Sequence, residues 1–245
     1  MVRRKGGYHA VFENVAMSED FHICYCFPRG NDHLQYAFRF LNSYLTFPPQ
    51  VEHTLVLLTD FGNEPEALEL FATVPNVRAV GTPDYAKDLS RYEAYSKQCG
   101  ASCMMMLGGS SYCHRPGWGL RALTAFQKLG SSAILGTCGH TGAPGVHKHL
   151  RSTGWWTSPD LLRKYPYWPK DHAGRYGAEH GSLCFSAWAQ QIGFPIWVVS
   201  FAGEYPLERS QDDPNGYARG NQTNVLIGDR LSGPGAPRYG LPWQT

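Results

Sequence analysis

Between residues 21 and 137, five short apolar runs alternate with four longer stretches whose apolar residues recur at helical spacing. FHICYCF (21–27), HTLVLLTDF (53–61), VRAVGT (77–82), ASCMMML (101–107) and SSAILGT (131–137) have the length and apolar continuity of buried strands. HLQYAFRFLNSYL (33–45), EPEALELFATV (64–74), YAKDLSRYEAYSKQC (85–99) and WGLRALTAFQKL (118–129) read as the intervening helices, the first through Leu34, Phe38, Leu41 and Leu45. Strands that are apolar on both sides and separated by helices predict an α/β fold, with a mostly parallel central sheet covered on both faces.

After Thr137 the pattern changes. Residues 138–177 are rich in Gly, His, Pro and Trp, with one short helix expected over SPDLLRKY (158–165) behind a Ser N-cap. EHGSLCFSAWAQQIG (179–193) predicts a further helix ending at Gly193, and FPIWVVSF (194–201) a last strand. From Ala202 onward the chain predicts a loop-rich C-terminal segment folded against a single domain spanning 1–245.

Hydrophobic residues make up 42% of the 245 and charged residues 17%, the balance of an ordered globular chain. The formal charge of +2, spread along the sequence except for the basic end MVRRK, lacks the footprint of a nucleic-acid binder. No apolar run approaches the roughly 20 residues of a membrane span, and the first residues do not follow the order of a secretory signal. Seven cysteines are an odd number, which predicts reduced thiols and a cytoplasmic protein.

In open parallel sheets ligands bind beyond the carboxyl ends of the strands. That rule selects Pro28-Arg29-Gly30-Asn31-Asp32, Asp60-Phe61-Gly62, Pro83-Asp84, Gly108–Ser111 and Gly136–His140. Gly108, Gly109, Ser110 and Ser111 offer main-chain N–H groups and hydroxyls to an anion; a tight turn accounts for the same residues. The loop is neither GxxxxGK[ST] nor GxGxxG. Cys138, His140, His147 and His149 are ligand types that zinc accepts, although their spacing matches no common zinc module.

The order of segments resembles the nucleotide-sugar-dependent glycosyltransferases of the GT-A fold, particularly family-2-like bacterial and viral members. The likeness runs through PRGND, FRFLNSYLTFP, HTLVLLTDFG, DYAKDLSRYEAY, GWGLRAL, GTCGHTG, HLRSTGWWTSPDLL, RYGAEHGSL and GNQTNVLIGDRL, over about residues 21–232. It implies a Rossmann-like nucleotide-binding half over about 21–137 and an acceptor and catalytic half over about 138–245. Activity would be transfer of a sugar, with inversion, from a nucleotide sugar to a hydroxyl-bearing acceptor such as a glycan. The family places an Asp-x-Asp type motif after the fourth strand to hold Mg²⁺ or Mn²⁺, and here Gly108–Ser111 stands in that place. Three outcomes are open: protein donors replace the metal, other residues hold it, or the domain binds nucleotide sugar or glycan without transferring it. No residue is assigned to a metal.

Charge on a departing diphosphate calls for cations or oriented N–H groups, for which Arg29, Arg115, His149 and Arg151 are candidates. Arg29 is equally accounted for by a surface ion pair. The acceptor hydroxyl needs a base, and Glu179 beside His180 matches the family's C-terminal acidic motif. Asp160 is a second candidate, although an acid in a helix's first turn is accounted for by the helix dipole. The resemblance implies nucleotide contacts for Asp60, Asp88 and Tyr92, while a solvated helix face accounts equally for Asp88 and Arg91. Trp155 or Trp156 is expected to expose a ring for stacking on a sugar, and Trp118 to pack in the core. The C-terminal segment leaves a homo-oligomer open.

Overall fold

A computed structural model describes residues 20–28, 34–140, 147–213, 222–230 and 233–234. Its eight-stranded sheet contains β1 (Phe21–Cys26), β2 (Thr54–Asp60), β3 (Val77–Thr82), β4 (Cys103–Leu107), β5 (Ile134–Gly136), β8 (Trp155–Thr157), β9 (Ile196–Val199) and β10 (Glu204–Pro206), in the order β10-β9-β5-β8-β4-β1-β2-β3. Six strands run the same way, and β8 and β10 oppose them. A separate ribbon pairs β6 (Gly139–His140) with β7 (His149–Leu150). The sheet is therefore mixed but mostly parallel, as the alternation predicts.

Successive side chains of a strand point to opposite faces, and the core divides accordingly. Ile23, Tyr25, Leu55, Leu57, Met105 and Trp156 face α1 (Leu34–Thr46), α2 (Glu64–Leu70) and α4 (Trp118–Leu129). Cys24, Val56, Leu58, Met104, Met106 and Trp155 face α3 (Asp88–Ser96), α5 (Pro159–Lys164) and α7 (Phe185–Gln191). Trp118 is fully buried, as expected. All seven cysteines are buried and unpaired, and no helix among the described residues is long and apolar enough to cross a membrane.

Four features differ from expectation. The buried face of α1 is Ala37, Phe40, Leu41 and Tyr44, whereas Phe38 and Leu45 are half exposed. The helix is turned because Phe40 stacks on Tyr25 with centroids 3.9 Å apart and Tyr44 Oη lies 2.6 Å from His53 Nε2. The helix expected over 179–193 is two helices, α6 (Arg175–His180) and α7, separated where Gly181 becomes extended. The Trp155-Trp156 stretch is β8, inserted antiparallel between β4 and β5. Its alternation sends one indole into each half of the core, so neither ring is offered to a sugar.

In the C-terminal segment, β10 leads into a 3₁₀ helix over Leu207–Asp212. Val225, Leu226 and Ile227 are buried. Thr137 Oγ1 accepts from the N–H groups of Leu226 (2.6 Å) and Ile227 (3.1 Å), and Tyr112 and Gly228 exchange two main-chain hydrogen bonds. This strip is built into the sheet's carboxyl edge.

The two faces of α1 respond differently to truncation. Phe40→Ala is expected to lower stability in urea denaturation by about 3–5 kcal/mol through the lost ring and the cavity left behind. Phe38→Ser, on the exposed side, is expected to change it by no more than about 0.5 kcal/mol.

Candidate functional site

The chain passes from β1 outward to β2 and β3, then returns to place β4 on the other side of β1. A sheet opens a crevice where its order reverses in this way. At that point lies a cleft of about 580 Å³, a volume typical of small-molecule sites. Four of the five strand-end segments selected from the sequence reach its lining, through Pro28, Asp84, Gly109 with Ser110, and His140. The segment after β2 does not, and Phe61 points to solvent.

The floor is formed by the loop after β4. Tyr25 Oη donates to the Gly109 carbonyl (2.8 Å), and the guanidinium of Arg39 donates to the Ser110 carbonyl while lying over the Tyr112 ring. A Cβ on Gly109 would stand 3.1 Å from the Cys26 carbonyl, and one on Gly108 only 2.8 Å from Asp88 Oδ2 and Thr153 Oγ1. These close approaches account for glycine at both positions. Ser111 is fully buried outside the cleft lining, and its hydroxyl has no hydrogen-bond partner among the described residues.

One wall comes from the start of α3. Asp88 lines the cleft beside Gly108; burial pushes its carboxyl up, opposed by Arg175 and Arg91. Arg91 is buried rather than part of a solvated face. It donates to the carbonyls of Phe27 and Leu58, bonds Asp60 Oδ1 at 2.6 Å, and has Asp84 3.8 Å away. Lys87, also in the lining, has φ +51°, a left-handed conformation that costs a non-glycine residue on the order of 1 kcal/mol. Buried Ser90 holds this turn, its Oγ accepting from the Ala86 N–H (3.1 Å) and lying 2.7 Å from the Lys87 carbonyl.

The facing wall comes from the β6–β7 ribbon, α6 and the 225–230 strip. Glu179 Oε1 accepts from Ser152 Oγ (2.9 Å) and from Nε and Nη2 of Arg175 (both 3.1 Å). Oε2 has none of these partners and lies 3.7 Å from His180 Nε2. The ribbon register sets His140 opposite His149, with their rings stacked at 5.1 Å. His149 Nδ1 lies 2.7 Å from the His147 carbonyl, to which it must donate. Burial holds the His149 and His180 imidazoles below their ordinary values, which favours the neutral form of both. Neutral His149 then accepts at Nε2 from His180 Nδ1, 3.0 Å away, which leaves His180 Nε2 bare toward Glu179.

Of the residues selected from the sequence, Asp88, Gly109, Ser110, His149, Arg151, Glu179 and His180 are together in the lining. Arg29 lies outside the described residues. Asp60 stands behind the wall, paired with Arg91. Tyr92 and Trp155 are core residues in edge contact at 6.3 Å, not ligand platforms. Asp160 is exposed and pairs with Arg163 in its own helix. Arg115 stacks on Phe201 instead of entering the cleft. Lys87, Arg175 and Arg230 were missed. Only Arg175 had a signal, its i,i+4 spacing to Glu179.

A divalent cation fits this donor set poorly. Of the four carboxylates in the described lining, Asp84 lies beside Arg91, Asp229 is paired with Arg151 at 3.2 Å and Glu179 with Arg175, and burial disfavours the charged form of Asp88. Among the described residues no three His, Cys, Asp or Glu side chains converge on a metal-holding arrangement, and Cys138 with the histidines forms no zinc cage.

No family model and no curated protein matches the sequence. Among solved structures, S. aureus TarS 1–349 in complex with UDP-GlcNAc overlaps with a TM-score of 0.44 at 15% identity, covering 65% of this chain and 53% of that one. S. aureus TarS gives 0.45 at 14% identity, over 65% and 33% respectively. TarS 1–349 in complex with UDP gives 0.43 at 15%, over 65% and 55%. The chain thus overlaps about half or less of the length of TarS in these structures. Likeness at this level assigns no residue a role.

Asp60→Ala strands a buried guanidinium and is expected to cost on the order of 3 kcal/mol in urea denaturation, whereas Asp160→Ala is expected to cost less than about 1 kcal/mol. ¹⁵N imidazole shifts at pH 8 are expected to show the Nδ1–H tautomer for both His149 and His180. His149→Ala should remove that constraint from His180.

Proposed function

We propose that this chain is a glycosyltransferase acting on a nucleotide sugar and a hydroxyl acceptor, with Glu179 as base. The observation that carries the reading is the asymmetry of the Glu179 carboxylate. Oε1 is saturated by Ser152 and Arg175, and Oε2 remains for a proton. Glu179 lines the same cleft as the glycine–serine loop and the cationic side chains that a leaving diphosphate requires.

In this mechanism the acceptor oxygen forms a bond to the anomeric carbon as the bond from that carbon to the diphosphate oxygen breaks. Attack from the face opposite the leaving group inverts the centre. The hydroxyl proton passes to Glu179 Oε2, and His180 Nε2 can share it. Arg175 orients the carboxylate through two bonds to one oxygen, and Asp88 beside Gly108 has the position of a donor contact. The half over 21–137 supplies most of the donor side, Glu179 and His180 the catalytic side, and His149 and Arg151 donor or acceptor contacts.

A second reading, binding of nucleotide sugar without transfer, is favoured by one observation: the loop after β4 carries no carboxylate. Turnover of labelled nucleotide sugars, with and without acceptor glycans, separates the two. Transfer or slow hydrolysis is expected, and Glu179→Gln should lower kcat by on the order of 10²–10⁴-fold while nucleotide binding persists. Binding without turnover by the unaltered protein, under every metal and acceptor condition, would establish the second reading. Full turnover by Glu179→Gln would remove Glu179 from the mechanism.

A further inference from the structure

We propose that Lys87 and Arg230 together bind the diphosphate of the nucleotide sugar and replace a divalent cation there. This rests on the glycosyl-transfer reading and names the groups that its leaving-group side needs.

Among the described residues, five cationic and four carboxylate side chains line the cleft. Three of the cations are occupied: Arg91 with Asp60 and two carbonyls, Arg151 with Asp229, and Arg175 with Glu179. No hydrogen bond or ion pair joins the side chain of Lys87 or Arg230 to another described residue, and both are exposed. Among the described residues they are the two cations of the lining available to an incoming anion.

Both are also held in place. Lys87 sits in a left-handed turn fastened through Ser90. A strained non-glycine residue retained at a cleft wall points to a role for its side chain. Arg230 lies two residues beyond Gly228, whose pairing with Tyr112 joins this strip to the loop after β4. A Cβ on Gly228 would meet the Tyr112 ring at 2.3 Å, so this contact sets where Arg230 emerges. A diphosphate resting on Gly109 and Ser110 would meet an ammonium from one segment and a planar guanidinium from the other. A guanidinium can grip two phosphate oxygens at once.

The test is calorimetric binding of ADP, GDP, CDP, UDP and the corresponding nucleosides to the full chain, in excess EDTA and then with Mg²⁺ or Mn²⁺. At least one diphosphate is expected to bind in EDTA with a Kd within about threefold of that with metal, since no three carboxylates, histidines or cysteines converge on an ion among the described residues. Lys87→Met and Arg230→Met should each weaken it by on the order of tenfold, the loss expected for a charge-assisted contact. Lys87→Arg should retain most of the affinity, and nucleoside binding should not change. Both positions are exposed, so unaltered thermal unfolding is expected and serves as the folding control. Binding lost in EDTA and restored by Mn²⁺ overturns the proposal but leaves the transferase reading intact. Unchanged diphosphate affinity in both Met variants does the same. Failure of every diphosphate and of sugar nucleotides to bind, with or without metal, overturns the underlying reading as well.

Discussion

Beneath the cleft, the buried guanidinium of Arg91 donates to the main-chain carbonyls of Phe27 and Leu58 and to the carboxylate of Asp60, with Asp84 nearby. These groups belong to the carboxyl ends of β1 and β2 and to the turn after β3. One planar cation therefore ties the carboxyl ends of β1 and β2 to the turn after β3, sharing the Leu58 carbonyl with the Phe27 N–H. Burying such a charge is tolerable when it is paired and hydrogen-bonded, as Arg91 is through Asp60 and the two carbonyls. The same clamp sets the position of the α3 N-terminus, and with it Lys87 and Asp88. This wall of the cleft thus depends on an arginine that helical periodicity alone would place in solvent.

The opposite wall is assembled from pieces distant in sequence. The β6–β7 ribbon sets His149 beside His140, α6 carries Arg175 and Glu179 one turn apart, and the 225–230 strip supplies Asp229 and Arg230. Each piece is short and buries little of its own. Their mutual order comes from hydrogen bonds to the sheet edge, notably Thr137 to Leu226 and Ile227 and Tyr112 to Gly228. Carboxylate, imidazoles and guanidinium then form one polar network whose members restrict each other's proton positions.

Legibility in the sequence followed the strength of the local signal. β1, β2, β3 and β4, and the helices α1 and α4, stand within a few residues of their expected bounds, because long apolar runs and helical spacing reflect burial directly. β8 was not legible, since WWT carries no alternation long enough to identify a strand. Nor was the break at Gly181, inside a stretch with otherwise helical spacing. The orientation of α1 was misread because Phe38 and Leu45 are as apolar as the residues that are buried, and only the fit of Phe40 against Tyr25 decides between the two faces.

By itself the sequence determined the alternating α/β architecture, four of the strand-end segments that line the cleft, and Glu179 beside His180 as an acid–imidazole pair. These are properties of periodicity and of adjacent residues. Tertiary structure alone decided that Tyr92 and Trp155 belong to the core, that Asp60 serves Arg91 instead of a ligand, and that Lys87 and Arg230 share one cleft with Gly109 and Ser110. The physical reason is that burial and charge pairing depend on which groups meet across the fold. Lys87 and Arg230 stand 143 positions apart, and no local pattern records that they face the same volume.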